Sequence, residues 1–187
     1  IKFTVAPHSL YTCDTEYIKE CSKLADRYNL PVHIHLAENS KELDDIKNMH
    51  GKDWLEVFKE TNMLNKKLIL GHGTKLNHLD EIKGKDINIC TCPVSNLNLG
   101  CGIADVTKLV KEGFNVCLGT DGQGSGNNLN LFYHMSFVDF LQKGYYKDPT
   151  VFSSYDTLKM ATDTICMLYL QSRAIRPYGE MDVLHQM

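Results

Sequence analysis

The strongest constraint on this chain is an alternation. Short apolar, β-branched runs at residues 1–6, 31–36, 67–70, 86–92 and 114–118 read as buried strands. Between them lie stretches with helical spacing. In the first, Ile18, Cys21, Leu24, Ala25 and Tyr28 share one face, and Asn29 and Pro31 stop it before the next strand. Others are expected around residues 43–50, 54–61, 78–82, 104–112, 129–141 and 155–170. Strand and helix in regular alternation mean parallel β/α units, because parallel strands need a crossover long enough to hold a helix. No linker, low-complexity tract or repeat beyond that rhythm interrupts it, so one continuous architecture is implied. Five strands are too few to close an eight-stranded barrel, which takes about 250 residues. Either the sheet is open, or the chain is a portion of a barrel.

Composition narrows the partners. Of 187 residues, 43% are hydrophobic, enough for a substantial core. Lys and Arg number 20 against 23 Asp and Glu, a net charge of -3 without long blocks of either sign, so nucleic acid is not expected as a partner. No apolar run reaches the roughly 18 residues of a membrane span, and the opening residues read as a strand rather than a signal peptide. Neither a membrane nor secretion is expected, and the protein is read as cytoplasmic. The seven cysteines lack the paired spacing of a disulfide framework or zinc ribbon. Cys90 and Cys92 stand two apart in a strand, where they share a face and are read as small buried side chains. A structural zinc module built on this pair is the alternative.

The residues that carry chemistry gather at strand ends. Strand one runs into Ala6-Pro7-His8-Ser9, strand two into His33-Ile34-His35-Leu36-Ala37-Glu38, strand three into Gly71-His72-Gly73, and strand five into Gly119-Thr120-Asp121-Gly122. Barrels and open α/β sheets both place their active sites at the C-terminal ends of strands. A single histidine there would count for little. Three histidine-bearing ends followed by an aspartate-bearing one point to a metal, since imidazole nitrogen and carboxylate oxygen suit zinc, and also iron or manganese. His33 and His35 lie on one strand face and could reach a common ion. The glycine-rich stretch at residues 123–129 lacks a P-loop's spacing and lysine, and reads as a polar turn with Asn127 or Asn128 capping a helix from Leu129.

As an ordered set, these segments with Pro93-Val94-Ser95-Asn96-Leu97-Asn98-Leu99 resemble the amidohydrolase superfamily, in particular the 5'-methylthioadenosine/S-adenosylhomocysteine deaminase group. The resemblance runs from residue 1 to about 160. It implies an α/β fold, the C-terminal portion of a (β/α)8 metallo-dependent hydrolase barrel, with about five parallel strands and the N-terminal strands absent. Residues 1–160 would form the partial barrel and 161–187 a divergent helical tail. It implies one divalent metal, zinc first, on His35 and Asp121, with His33 in support. Glu38, His72 and Asp121 would be catalytic: Glu38 protonating the heterocycle, His72 assisting the attacking water, Asp121 moving its proton to the departing ammonia. His8, Glu38, Ser95 and Asn96 would contact the substrate. The chemistry is coherent, since a divalent ion lowers the pKa of water from about 15.7 to about 7 and a placed carboxyl can serve the ring nitrogen.

Two departures shape the expectation. The family draws two further ligands from a His-x-His on its first strand, and no such strand precedes Ile1; the segment from residue 165 is unfamiliar. The expected activity is hydrolytic deamination of an adenine nucleoside (5'-methylthioadenosine, S-adenosylhomocysteine or adenosine) by the parent enzyme, with this piece inactive alone. Guanine deamination and chlorotriazine-type hydrolysis are the alternatives within the superfamily. A non-catalytic half-barrel that dimerises over its sheet edges is the alternative outside it. The expected partner is a small purine nucleoside or related heterocycle, with homo-oligomerisation left open.

Overall fold

The computed structural model describes residues 3–162. The tail expected at 161–187 lies almost wholly outside them, as does the end of the helix expected over 155–170. Four strands form one parallel sheet in chain order: β1 (Val32–Leu36), β2 (Leu68–His72), β3 (Ile87–Thr91) and β4 (Asn115–Leu118). Around them run α1 (Thr15–Tyr28), α2 (Ser40–His50), α3 (Trp54–Glu60), α4 (Leu79–Ile82), α5 (Pro93–Asn98), α6 (Val106–Lys111), α7 (Gln123–Gly126), α8 (Leu131–Tyr146) and α9 (Ser154–Ala161). Sequential parallel pairing with helical crossovers is what the alternation demanded.

The strand expected at residues 1–6 is the main correction. Residues 5–9 run alongside β1 as isolated parallel bridges, Val5 with Val32 and Ser9 with His35, not as a regular fifth strand. From Val5 to Ser9 is four steps and from Val32 to His35 is three, so one extra residue is accommodated. Pro7, which has no N–H to donate, lies inside this bulge. Hydrogen bonds still tie the segment in: Val5 N–H donates to Pro31 O (3.0 Å), and the His33 and His35 N–H groups donate to Val5 O and His8 O (2.9 and 3.1 Å).

Helix boundaries follow local chemistry. Asp14 caps α1 by accepting from Tyr17 N–H, Asn29 ends it in the left-handed conformation, and Ile18, Cys21 and Ala25 face inward. α8 begins two residues later than expected, because Asn130 rather than Asn127 or Asn128 accepts from the first turn, at Phe132 N–H. The glycine-rich turn contains the short helix α7. α5 was not foreseen: Pro93 occupies its first turn, where a missing N–H costs nothing, and the Ser and Asn that follow resemble loop residues.

The two sheet faces differ. Val32, Ile34, Leu36, Leu68, Leu70, Ile87, Ile89, Val116 and Leu118 point to the helix-covered side and form the main core. The other face bears His33, Ile69, Asn88 and Asn115 at one level and His35, Gly71, Cys90 and Cys117 at the next, by the strand register. Among the described residues no helix is long and apolar enough to cross a membrane.

Candidate functional site

The site is assembled where β1, β2 and β4 end. His35 lies on β1, and its Nδ1 is 2.8 Å from the backbone oxygen of His8. A carbonyl can only accept, so Nδ1 carries the proton and the Nε2 lone pair is free, the arrangement by which second partners prepare a histidine for a metal. Gly71 makes room for this ring, since a Cβ there would stand 3.3 Å from His35 Cδ2. The His35 ring stacks on His72 with centroids 5.3 Å apart and meets the His8 ring edge-on at 5.0 Å. His33, on the same face, sits 6.5 Å from His35 between centroids. Burial lowers its pKa and favours the neutral imidazole.

His72, the last residue of β2, is 3% exposed. Its Nδ1 donates to Asn96 Oδ1 (2.9 Å), which leaves Nε2 turned toward Glu38, 4.0 Å from Oε1. Asn96 Nδ2 is buried without a hydrogen-bond partner. Glu38 also accepts a weak hydrogen bond from the Cys101 thiol (3.5 Å). Asp121 follows β4 and accepts at Oδ2 from Ser95 Oγ (2.5 Å) and Ser125 Oγ (3.0 Å), and at Oδ1 from Gly122 N–H (2.7 Å). Burial pushes its carboxyl pKa up, but these bonds and the nearby His72 outweigh it and the pKa is lowered.

Three residues at these strand ends occupy left-handed backbone without being glycine: Ala37 (φ 55°), His72 (φ 71°) and Asp121 (φ 59°). Such conformations cost on the order of 1–3 kcal/mol each and cluster where function requires them. In each case the turn redirects the chain at the sheet's end.

The sequence-expected residues are thus mostly brought together. His72 neighbours both His35 and Glu38, and Asp121 joins them through α5, whose consecutive residues Ser95 and Asn96 bond Asp121 and His72. Ser95 and Asn96, 0% and 1% exposed, thereby support other site residues. His8 is exposed at the rim, its Nδ1 2.7 Å from Thr12 Oγ1; its carbonyl and its ring both engage His35. Three participants escaped the sequence reading. Cys101 lies 63 residues from Glu38 and carries no local signal. Thr74 Oγ1 donates to the Ala37 and Glu38 carbonyls. Glu42 accepts from the N–H groups of the same two residues. Its signal was present as the capping-box spacing Asn39-x-x-Glu42, but the carboxylate reaches past the cap.

The donor set fits a zinc-class ion in type. His35 offers an unprotonated Nε2, and Asp121 retains a lone pair on Oδ1 beyond its three hydrogen bonds. Catalytic zinc usually takes three protein ligands. Among the described residues, no group of three or more His, Cys, Asp or Glu side chains is gathered to hold a metal. Cys90 and Cys92 instead pack together over Gly119, where a Cβ would come within 2.8 and 3.0 Å of their sulfurs.

Comparison with known proteins gives the family. The sequence matches the amidohydrolase family over residues 1–169. It is 38% identical over 164 residues to a 5-methylthioadenosine/S-adenosylhomocysteine deaminase of Pyrococcus furiosus, spanning 87% of this chain and 39% of that protein. It is 40% identical over 164 residues to a 5'-deoxyadenosine deaminase of Methanocaldococcus jannaschii, spanning 84% of this chain and 38% of that one. Among solved structures, an adenosine deaminase from Xanthomonas campestris with bound zinc superposes with a TM-score of 0.82 at 29% identity, covering 87% of this chain and 38% of the other. Guanine deaminase from C. acetobutylicum superposes at 0.75 and 26%, covering 83% and 39%. The chain therefore spans under two-fifths of the relatives it matches.

Proposed function

Because the chain belongs to the amidohydrolase family, we propose that it carries part of the active site of an enzyme that hydrolytically deaminates an adenine nucleoside. The substrate class is 5'-methylthioadenosine, S-adenosylhomocysteine, 5'-deoxyadenosine or adenosine. The observation that supports this best is the convergence of His35, Glu38, His72 and Asp121, linked through Asn96 and Ser95, at the ends of parallel strands. On this reading the sheet is the C-terminal portion of a (β/α)8 barrel.

His35 Nε2 and Asp121 would hold one divalent ion, zinc first, which when bound supplies the Lewis acidity that makes water a nucleophile near neutral pH. The remaining steps belong to the side chains. Asp121, kept ionised by three donors, accepts a proton from the attacking water and later delivers it to the leaving amine. Glu38 protonates the ring nitrogen beside the attacked carbon, so that the ring can take up electrons as the C–O bond forms. His72, its Nδ1–H fixed by Asn96, offers Nε2 to the water and to Glu38 and supports charge developing between them. His8 stands at the exposed rim, where a substrate ring would enter. The metal and the ligand count also predict that residues 1–187 alone are inactive, since His35 and Asp121 fall short of the usual three ligands.

The test is ammonia release by the complete gene product, supplied with zinc, on those four nucleosides and on guanine. Turnover on at least one nucleoside is expected, and none on the whole panel would sink the reading. Guanine deamination is the runner-up on the likeness to the C. acetobutylicum enzyme, and turnover of guanine alone would replace the nucleoside assignment. Metal analysis of the complete gene product separates the non-catalytic half-barrel: the enzyme reading expects about one ion per chain and the half-barrel reading well below one, while the 187-residue chain by itself should fall well below one on either.

A further inference from the structure

Glu42 is a buried acid that the reaction does not use. It is 3% exposed on the first turn of α2, yet its side chain does not cap that helix. The cap is Asn39, whose Oδ1 accepts Glu42 N–H at 2.9 Å. Glu42 instead reaches back over the turn after β1, with Oε2 accepting Glu38 N–H at 2.6 Å and Oε1 accepting Ala37 N–H at 3.2 Å. From the opposite side Thr74 Oγ1 donates to the carbonyls of Ala37 (3.1 Å) and Glu38, and Lys75 N–H donates to Ala37 O (2.9 Å). Both N–H groups and both carbonyls of Ala37–Glu38 are thereby held, by α2 on one side and by the segment after His72 on the other.

This turn needs holding. Ala37 sits at φ 55°, a conformation an alanine leaves unless its surroundings over-determine it. If it relaxed, the Glu38 carboxyl would swing away from His72 Nε2. Burying an acid also has a cost: burial pushes the Glu42 carboxyl pKa up, against the two N–H bonds. Helix capping does not explain why a carboxylate is kept there at that cost, because Asn39 already provides it.

We propose that Glu42 is a positioning residue for Glu38, its two carboxylate oxygens locking the left-handed turn that aims Glu38 at His72. The proposal rests on the proton-donating role given to Glu38 above, and the experiment separates the two. In the complete gene product, Glu42→Gln preserves size but leaves one oxygen to accept, with an amide NH2 facing the other donor. A fall in kcat on the order of 10- to 100-fold is expected, with KM changed less than about 3-fold, as for loss of geometry felt mainly in the transition state. Combined with Glu38→Gln, the same substitution should cost little more, because the group it positions is gone. Glu42→Asp keeps the charge but withdraws the oxygens by one methylene, and should lose activity in the same pattern if the Gln variant does not fold. A folded Gln or Asp variant with wild-type kcat overturns the proposal, as does a loss that is equal in both backgrounds or confined to KM. If Glu38→Gln itself keeps wild-type kcat, the proton role falls and the positioning role with it.

Discussion

The two faces of the sheet are made of the same four strands and do opposite work. Toward the helices, Val32, Ile34, Leu36, Leu68, Leu70, Ile89 and Leu118 are nearly inaccessible and belong to the main apolar core. On the other face the same strands carry His33, His35, Asn88, Cys90 and Asn115, joined by hydrogen bonds such as Asn115 Nδ2–H to Asn88 Oδ1 (2.7 Å) and Asn88 Nδ2–H to Leu68 O (3.1 Å). Parallel strands usually read as apolar on both faces. A face that breaks this rule at regular two-residue intervals is where stability has been given up for something else, and its upper end is where the chemistry converges.

The sharpest way to break the comparison is to change one residue on each side and read both activity and stability. Glu38→Gln should lower the deamination rate of the complete gene product about 10²- to 10⁴-fold, the usual contribution of a placed general acid. Its melting temperature should move little, because the side chain is not part of the core. A variant that unfolds, or one that keeps full activity, would erase the distinction between the faces at this site.

Ile34→Ala is the matching change on the helix side. Ile34 is 1% exposed within the main core, and the truncation should cost about 2–5 kcal/mol in transfer and cavity terms. Urea unfolding of the complete protein checks it. KM and kcat of whatever remains folded should stay near wild type, although Ile34 lies between His33 and His35 in sequence. Strand alternation sends neighbouring side chains to opposite faces, and the prediction tests that separation.

Intermediate in size is Asn96→Leu. Asn96 Oδ1 accepts the Nδ1–H of His72, and such partners of active-site histidines typically cost 10- to 100-fold when removed. The loss should fall on kcat with KM little changed, since His72 loses the partner that fixes its tautomer. A variant with wild-type kcat and lowered stability would make Asn96 a packing residue.

What could be read ahead of the structure follows the range of the interactions. The β/α order was legible because each strand and helix announces itself within a few residues. His35, His72 and Asp121 were legible because strand ends are local features, and the ordered segments resembled a known family. Pairings across 24 to 26 residues, Asn96 with His72 and Ser95 with Asp121, were not, because nothing local in the sequence marks them. Pro93 with a following Ser and Asn looked like a loop because an N-terminal proline and a breaker proline are the same residue in different geometry. Pro7 was the sign that the first strand would bulge, and it stood in the sequence only as one of the residues that strand runs into.

The smallest expected effect concerns Glu42, which belongs to neither face but ties one to the other through the turn after β1. Its carboxyl pKa is raised in the folded protein above the ordinary 4.5, by burial first and by nearby Glu38 in part, against the two backbone N–H bonds and His72. Folding therefore favours its protonated form. The associated stability is fully present below about pH 4.5 and is lost as pH rises through the raised folded value, because there the unfolded chain has already released the proton that the folded chain still holds. Glu42→Gln cannot titrate, so across that window the variant should gain stability relative to wild type as pH increases, measured by urea unfolding at successive pH values. A difference that is flat with pH would mean that Glu42 is solvated like a surface acid. The turn over Ala37 would then have to be held by Thr74 and Lys75 alone.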